Sequence, residues 1–211
     1  MLKLENISLK YGKNLVIDSL SYEFEEGKVT LIRGESGVGK SSLLNVIASL
    51  VKPTDGTPLN THDRISYVFQ EPRLFEWFTA LENVALVSDE EKARKNLTLM
   101  GLGDSLDKYP SELSGGMKQR VSIARALSYD ATLVLLDEPF KGLDSERRRD
   151  VATNLFEAIR GKTVVIVSHD EEDIRYADTQ LTLTPAPKTE LVKTNMVFDE
   201  EYNIKQNLRI G

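Results

Sequence analysis

Residues Gly34–Ser41 read GESGVGKS, the form G-x-x-x-x-G-K-[ST], and this stretch decides the fold. The run before it, 28–33 (KVTLIR), has the composition of a buried strand. The run after it, 42–50 (SLLNVIASL), has the apolar spacing of a helix. A strand, a glycine-rich loop and a helix in that order form a phosphate cradle. Gly34, Gly37 and Gly39 permit backbone angles that residues with side chains resist, so successive N–H groups can face an anion. A helix beginning near Lys40 adds the positive end of its dipole. The pattern predicts that Lys40 reaches the β- and γ-phosphates and that the Ser41 hydroxyl ligates Mg²⁺.

The rest of the composition narrows the class. At 211 residues the chain makes one large domain or two small ones, and 40% hydrophobic with 28% charged residues is ordinary for a soluble globular protein. A net charge of -6 argues against a dedicated nucleic-acid binder. There is no cysteine, which fits a reducing compartment. No apolar run approaches the ~20 residues of a membrane span, and MLKLENISLK does not read as a signal peptide. Any membrane role is therefore expected to be peripheral and to run through partners.

Along the chain, 2–9 and 16–24 read as strands around a turn at 11–14. Tyr11 is either a packing aromatic or a ring on which adenine stacks. Residues 52–56 (KPTDG) read as a turn and 63–69 as a strand ending at Gln70. Glu71–Phe78 holds Phe75, Trp77 and Phe78 outside any periodic element, as core plugs or as a docking surface. Residues 79–112 read as helical, with a capping box at 88–91 opening a helix that Gly101 stops. Ser114 is a natural N-cap, and Gly115 and Gly116 behind it make either a second anion-binding concavity or a plain helix start. The apolar run 133–136 ends in Asp137 and Glu138, and 163–167 ends in Ser168-His169-Asp170. Such strand tips are where doubly wound sheets bind ligands. An amphipathic helix is expected over 145–160 with Gly161 as its stop, a helix over 171–177, a strand over 180–184, and an edge strand with a polar tail beyond.

Taken together, these pieces resemble the nucleotide-binding subunit of an ABC transporter, from residue 1 to about 185. Gly34–Ser41 matches the Walker A loop and Gln70 the Q-loop. Leu113–Arg120 (LSGGMKQR) matches the signature, and 133–138 matches Walker B with its catalytic Glu. Gly142-Leu143-Asp144 matches the D-loop, His169 the switch histidine and Tyr11 the adenine-stacking aromatic. The stretch 69–84 (FQEPRLFEWFTALENV), with 117–120 and 137–140, looks like the nitrate/sulfonate/taurine importers. Two departures are a short segment between Lys40 and Gln70, which trims the antiparallel β-subdomain, and Gly142 where Ala is commoner.

The resemblance implies an α/β P-loop NTPase core with a mostly parallel sheet, a small N-terminal antiparallel β-subdomain and an inserted α-helical signature subdomain. As one domain, 1–211 would divide into a core (1–70 and 131–185), a helical block (71–130) and a C-terminal edge strand and tail (186–211). ATP would lie on Tyr11 and in the cradle of Gly34, Glu35, Ser36, Gly37, Val38, Gly39, Lys40, Ser41 and Ser42. Mg²⁺ would sit on Ser41, Gln70 and, through water, Asp137. Glu138 would act as general base and His169 on the γ-phosphate, with Lys40 and Gln70 completing the catalytic set. Ser114, Gly115 and Gly116 would close over the ATP of a second, identical copy.

Implied partners are that second ATPase subunit, a transmembrane permease docking near Glu71–Phe78 and, indirectly, an extracytoplasmic solute-binding protein, with no nucleic acid. The implied place is the cytoplasmic face of a bacterial membrane. A non-importing ABC ATPase of the division or lipoprotein-release type is the alternative. A nucleotide-binding module without catalysis is disfavoured by Gln70, Glu138 and His169, and a DNA-repair type by the missing coiled-coil insertion.

Overall fold

Runs of Val, Ile and Leu too apolar to face water on either side build the centre of the molecule. The structure, a computed structural model, describes residues 1–194. In chain order the strands and helices are β1 (Leu2–Tyr11), β2 (Asn14–Phe24), β3 (Val29–Arg33), α1 (Lys40–Ile47), β4 (Asp55–Asn60), β5 (Ile65–Val68) and α2 (Ala80–Ala85). There follow α3 (Glu90–Leu99), α4 (Gly115–Ser128), β6 (Leu133–Asp137), α5 (Ser145–Ala158), β7 (Thr163–Val167), β8 (Thr179–Leu183) and β9 (Leu191–Lys193). The expected helix at 171–177 is a 3₁₀ turn, Glu171–Tyr176.

Six strands form one sheet in the order β5-β6-β7-β3-β8-β9, parallel except for β9, which runs antiparallel to β8 at the edge. Its central strands are apolar on both faces, as a parallel sheet covered on both sides requires. Val134, Leu136, Val164 and Ile166 pack with residues of α2, α3, α4 and α5. Leu133, Leu135, Val165 and Val167 pack with α1 and with the antiparallel sheet.

That second sheet has the order β2-β1-β4. Its inward residues Leu2, Leu4, Ile7 and Leu9 break strict alternation by one position. A bulge restores the face: the register shifts between Leu4 and Ile7, where Asn6 has φ 51°. Strand β2 makes the matching slip between Ile17 and Leu20, at Ser19 with φ 53°.

The turn expected at 52–56 overlaps the start of β4. Gly56 lies inside the strand at φ 85°, and a Cβ there would stand 2.3 Å from the Asn6 carbonyl oxygen. This glycine serves the close passage of β4 over the β1 bulge. Pro58 is tolerated because β4 is an edge strand.

Two caps differ from expectation. Helix α3 is capped by Asp89, whose carboxylate accepts from Lys92 N (2.8 Å). Ser88 instead turns its hydroxyl to the Asp89 carbonyl. The capping box belongs to α2, between Thr79 and Glu82. Gly101 (φ 69°) and Gly161 (φ 78°) do end their helices in the left-handed region.

Asn83 on α2 holds the aromatic segment before it. Its Oδ1 accepts from Phe75 N (2.8 Å), and its Nδ2 donates to the carbonyls of Phe75, Phe78 and Thr79, each at 3.0 Å. The residue is fully buried. Asn83→Ala leaves the Phe75 N–H and the Phe78 carbonyl without these partners, while the Phe75 and Thr79 carbonyls keep their backbone bonds to Phe78 N and Asn83 N. It is expected to lower unfolding free energy by roughly 2–3 kcal/mol. Denaturant unfolding at unchanged m reads this directly. A loss under about 1 kcal/mol would mean the loop's polar groups reach water instead.

Candidate active site

Four adjacent strands, β5, β6, β7 and β3, end at one edge of the parallel sheet. Gln70 follows β5, Asp137 ends β6 with Glu138 next, His169 follows β7, and Gly34 follows β3. Parallel strands place their C-terminal tips together, so residues far apart in sequence meet there.

The loop between β3 and α1 is shaped by its glycines. Gly39, the N-cap of α1, has φ 107°, and a Cβ on it would stand 2.8 Å from Val16 Cγ1. At Gly34 (φ 147°) a Cβ would meet the Leu183 carbonyl oxygen at 2.8 Å. Helices α2, α3, α4 and α5 are capped by side chains of Thr79, Asp89, Ser114 and Asp144. Helix α1 has neither a side-chain cap nor an acidic residue in its first turn. Its leading N–H groups are left for an external anion. Lys40 is buried, and its Nζ donates to the carbonyls of Gly34 and Glu35, both at 2.9 Å.

A cavity of about 550 Å³ opens over this loop. It brings together Tyr11, Ser36, Gly37, Gly39, Lys40, Ser41, Ser42, Gln70, Asp137, Glu138 and His169. Gly34 and Glu35 lie behind it as acceptors for Lys40, and Val38 packs into the core. Tyr11 is 48% exposed, so it is no buried packing aromatic.

Ser114, Gly115 and Gly116 stand apart, in a second cavity of about 450 Å³ with Arg120 and Gly142–Asp144. Ser114 Oγ accepts from Met117 N (3.3 Å). Arg120 fixes this corner by donating to the carbonyls of Met100 (3.0 Å), Gly101 (2.9 Å) and Gly116 (3.4 Å). Trp77 (69%) and Phe75 (43%) are exposed, which rules out a core-plug role for both rings.

Burial dominates the electrostatics. It pushes the Asp137 carboxyl up, against the Ser41 hydroxyl, Lys40 and Lys141, which pull it down. Burial also raises Glu138, opposed first by the His169 charge and then by the His169 backbone N–H. Lys40 is lowered by burial and held up by Glu138 and Asp137. His169 Nε2 lies 3.4 Å from Glu138 Oε1, and that oxygen, like Asp137 Oδ1, is buried without a hydrogen-bond partner.

Glu138 has φ 47°, pinned by Glu138 N donating to Val167 O (2.9 Å) and Lys141 N donating to Glu138 O (3.1 Å). A left-handed, non-glycine residue stores about 1–3 kcal/mol and persists only where its surroundings hold it. Hydroxyl, amide and carboxylate oxygens at Ser41, Gln70 and Asp137 are hard donors, and Asp137 Oδ1 is an orphaned acceptor. Among the described residues no three His, Cys, Asp or Glu side chains are placed to hold a metal ion by themselves. That set fits Mg²⁺ held by one carboxylate and by phosphate oxygens.

Sequence reasoning passed over Lys141, which lines both cavities, and Arg33, whose Nη2 donates to the His169 carbonyl (3.3 Å). A lysine inside an acidic strand tip was the available signal for the first. The second depends on β3 and β7 being neighbours.

Residues 17–141 match the family model described as ABC transporter. The bicarbonate transport ATP-binding protein CmpD of Synechocystis sp. is 36% identical over 212 residues, covering 88% of this chain and 75% of that protein. CmpC of Synechococcus elongatus, of the same description, is 38% identical over 214 residues, 89% of this chain. This chain spans only 32% of its length. The nitrate transport protein NasD of Klebsiella oxytoca is 34% identical over 214 residues, with 89% and 81% covered. A solved dimeric post-hydrolysis state of an ATP-binding cassette, bound to ADP and Pi, matches 94% of this chain and all of that one. Its TM-score is 0.83 and its identity 31%.

Proposed function

This chain belongs to the ABC transporter family of ATP-hydrolysing proteins, and from that premise we propose that it is the motor subunit of an importer for a small anion of the nitrate, bicarbonate or sulfonate kind. The observation that carries the catalytic part is the convergence of Lys40, Ser41, Gln70, Asp137, Glu138 and His169 on one cavity at the sheet edge. The names of two relatives, a bicarbonate and a nitrate transport protein, support transport of an anion.

In this reading the loop amides and Lys40 hold the phosphates, and Tyr11 offers its exposed ring to adenine. Ser41, Gln70 and Asp137 would hold Mg²⁺, which when bound neutralises charge on the phosphate oxygens. Glu138 takes a proton from the attacking water through its unpartnered Oε1. His169 orients at the γ-phosphate, 3.4 Å from that carboxylate. Positioning and charge neutralisation supply most of phosphoryl-transfer catalysis, and these groups supply both.

The signature residues Ser114–Gly116 occupy their own cavity, so they would act on the nucleotide of a second copy in a two-fold dimer. A dimeric relative bound to ADP and Pi supports that arrangement. The exposed Phe75 and Trp77, which follow Gln70 in the chain, would dock a transmembrane permease, with a solute-binding protein beyond it. The division into a nucleotide core (1–70 and 131–185), a helical block (71–130) and a C-terminal edge belongs to the same reading. Among the described residues no helix is long and apolar enough to cross a membrane, so attachment would run through the permease.

A mild-detergent pull-down from source membranes, followed by mass spectrometry, tests the assignment. A polytopic permease with a solute-binding lipoprotein is the expected result. A division or lipoprotein-release membrane protein in their place would overturn import and leave the ATPase standing.

A further inference from the structure

Helix α5 carries three consecutive arginines, Arg147–Arg149, near its start. Arg148 is turned away from solvent. Its side chain is 15% exposed, and its Nη2 donates to Asp173 Oδ1 at 2.7 Å while Nη1 pairs with Asp170 Oδ2. Asp173 is 1% exposed. The guanidinium carbon lies 5.4 Å from the centre of the Phe140 ring.

The two acids belong to the segment that follows His169. Asp170 spends its other oxygen on Glu172 N (2.8 Å), capping the 3₁₀ turn, and its own N–H donates to Ser168 Oγ (3.1 Å). On the other side, Arg148 sits one turn into α5, whose N-cap is Asp144. One guanidinium therefore joins the helix that follows Gly142–Asp144 to the segment that follows His169. A cavity of about 320 Å³ between them is lined by Glu138, Phe140, Arg148, Ser168, His169 and Asp170.

Asp170 is the exposed member of this triad, and the largely buried Arg148–Asp173 pair is weak evidence for stability, because desolvating the two charges offsets most of their attraction. It is better evidence for a fixed geometry, since the planar fork of arginine holds two acceptors in set directions. His169 needs such support, since its side chain is 55% exposed.

We propose that Arg148 is a positioning residue for hydrolysis: by clamping Asp170 and Asp173 it sets His169 against Glu138 and ties that pair to the start of α5. The inference rests on the roles proposed for Glu138 and His169. Arg148 does not line the cavity over the Gly34–Ser41 loop. Movement of the Gly142–Asp144 corner, which lines the signature cavity, would reach His169 through this clamp.

The test is steady-state and single-turnover ATP hydrolysis by the full chain carrying Arg148→Ala, Arg148→Lys, His169→Ala or Arg148→Ala with His169→Ala. Folding is checked by circular dichroism, and KM is measured separately from kcat. Arg148→Ala is expected to lower kcat by about 10²-fold, the scale of a misplacement near 1 Å, with KM within about threefold of wild type. Arg148→Lys keeps a cation that holds one acid, and is expected to lose on the order of tenfold in kcat. It decides the matter if the alanine variant does not fold.

In the His169→Ala background, Arg148→Ala should add nothing further, because the two residues act through one group. A merely structural arginine would lower the melting temperature and multiply its loss onto that of His169→Ala. Such multiplicative losses, or a folded Arg148→Lys with wild-type kcat while His169→Ala is impaired, would overturn the clamp. Full activity in His169→Ala would sink the proposed role of His169 itself, and the clamp with it.

Discussion

Glu138→Gln is expected to lower ATP turnover by about 10³-fold, the middle of the range for a positioned general base, while ATP binding survives. The amide matches the carboxylate in shape, so it can hold the left-handed position after β6 that the backbone bonds to Val167 and Lys141 impose. What it loses is the proton acceptor. In the wild type Glu138 Oε1 is buried and unpartnered, 3.4 Å from His169 Nε2, an arrangement that leaves a carboxylate free to take a proton from water. An amide that still allows binding should accumulate the ATP-bound dimer, visible as a shift in size-exclusion elution on adding ATP. Wild-type turnover in Glu138→Gln would remove the base from the mechanism.

The pH profile adds a second check. Burial lifts the Glu138 carboxyl above its ordinary value, and a base must be deprotonated to act. Activity should therefore fall on the acid side at a higher pH than an exposed glutamate would set, as the raised pKa is crossed downward. In Glu138→Gln that acid limb should be absent from the residual rate.

The elements that carry the site were legible because their signals are local. Leu133–Leu136 announces a buried strand, and two carboxylates at its end can stand only at the sheet's edge. The loop Gly34–Ser41 needs only its own glycines and flanks. Where the reading strayed, a tertiary contact competed with a local rule. Gly56 and Pro58 look like a turn, yet they serve a close strand crossing over the Asn6 bulge. Ser88 and Asp89 are both good N-caps, and the carboxylate of Asp89 took the place that Ser88 was given. The Thr79–Glu82 box went unseen behind the aromatics of 75–78. Arg148 could not be read at all, since its meaning lies in acids more than twenty positions away, reached only when α5 lies beside the end of β7.

Lys40→Ala should separate from Glu138→Gln by failing at binding rather than at turnover. The Lys40 ammonium is buried, and its bonds to the Gly34 and Glu35 carbonyls aim it into the loop mouth that faces Asp137 and Glu138. A hydrogen bond to a charged partner is worth about 1.5–3 kcal/mol, so losing the ammonium should weaken ATP binding on the order of 10²-fold. It also leaves two neighbouring carboxylates without the cation that pulls their pKa values down, which repels phosphate further.

Thermal shift makes this quantitative. At ATP equal to about 100 times the wild-type Kd, binding stabilises the wild type by about 2.7 kcal/mol, and a variant with Kd raised 100-fold gains only about 0.4 kcal/mol. For a domain of this size those energies correspond to roughly 5–11 °C and about 1–2 °C of melting-temperature shift. A Lys40→Ala protein that melts with the full wild-type shift would mean the loop amides and the α1 terminus bind ATP unaided, and the lysine would then have to act on the transition state alone. In that case kcat would fall at unchanged affinity, the signature otherwise expected of Glu138→Gln, so one titration and one turnover measurement on each variant decide whether the two residues act at different steps or at the same one.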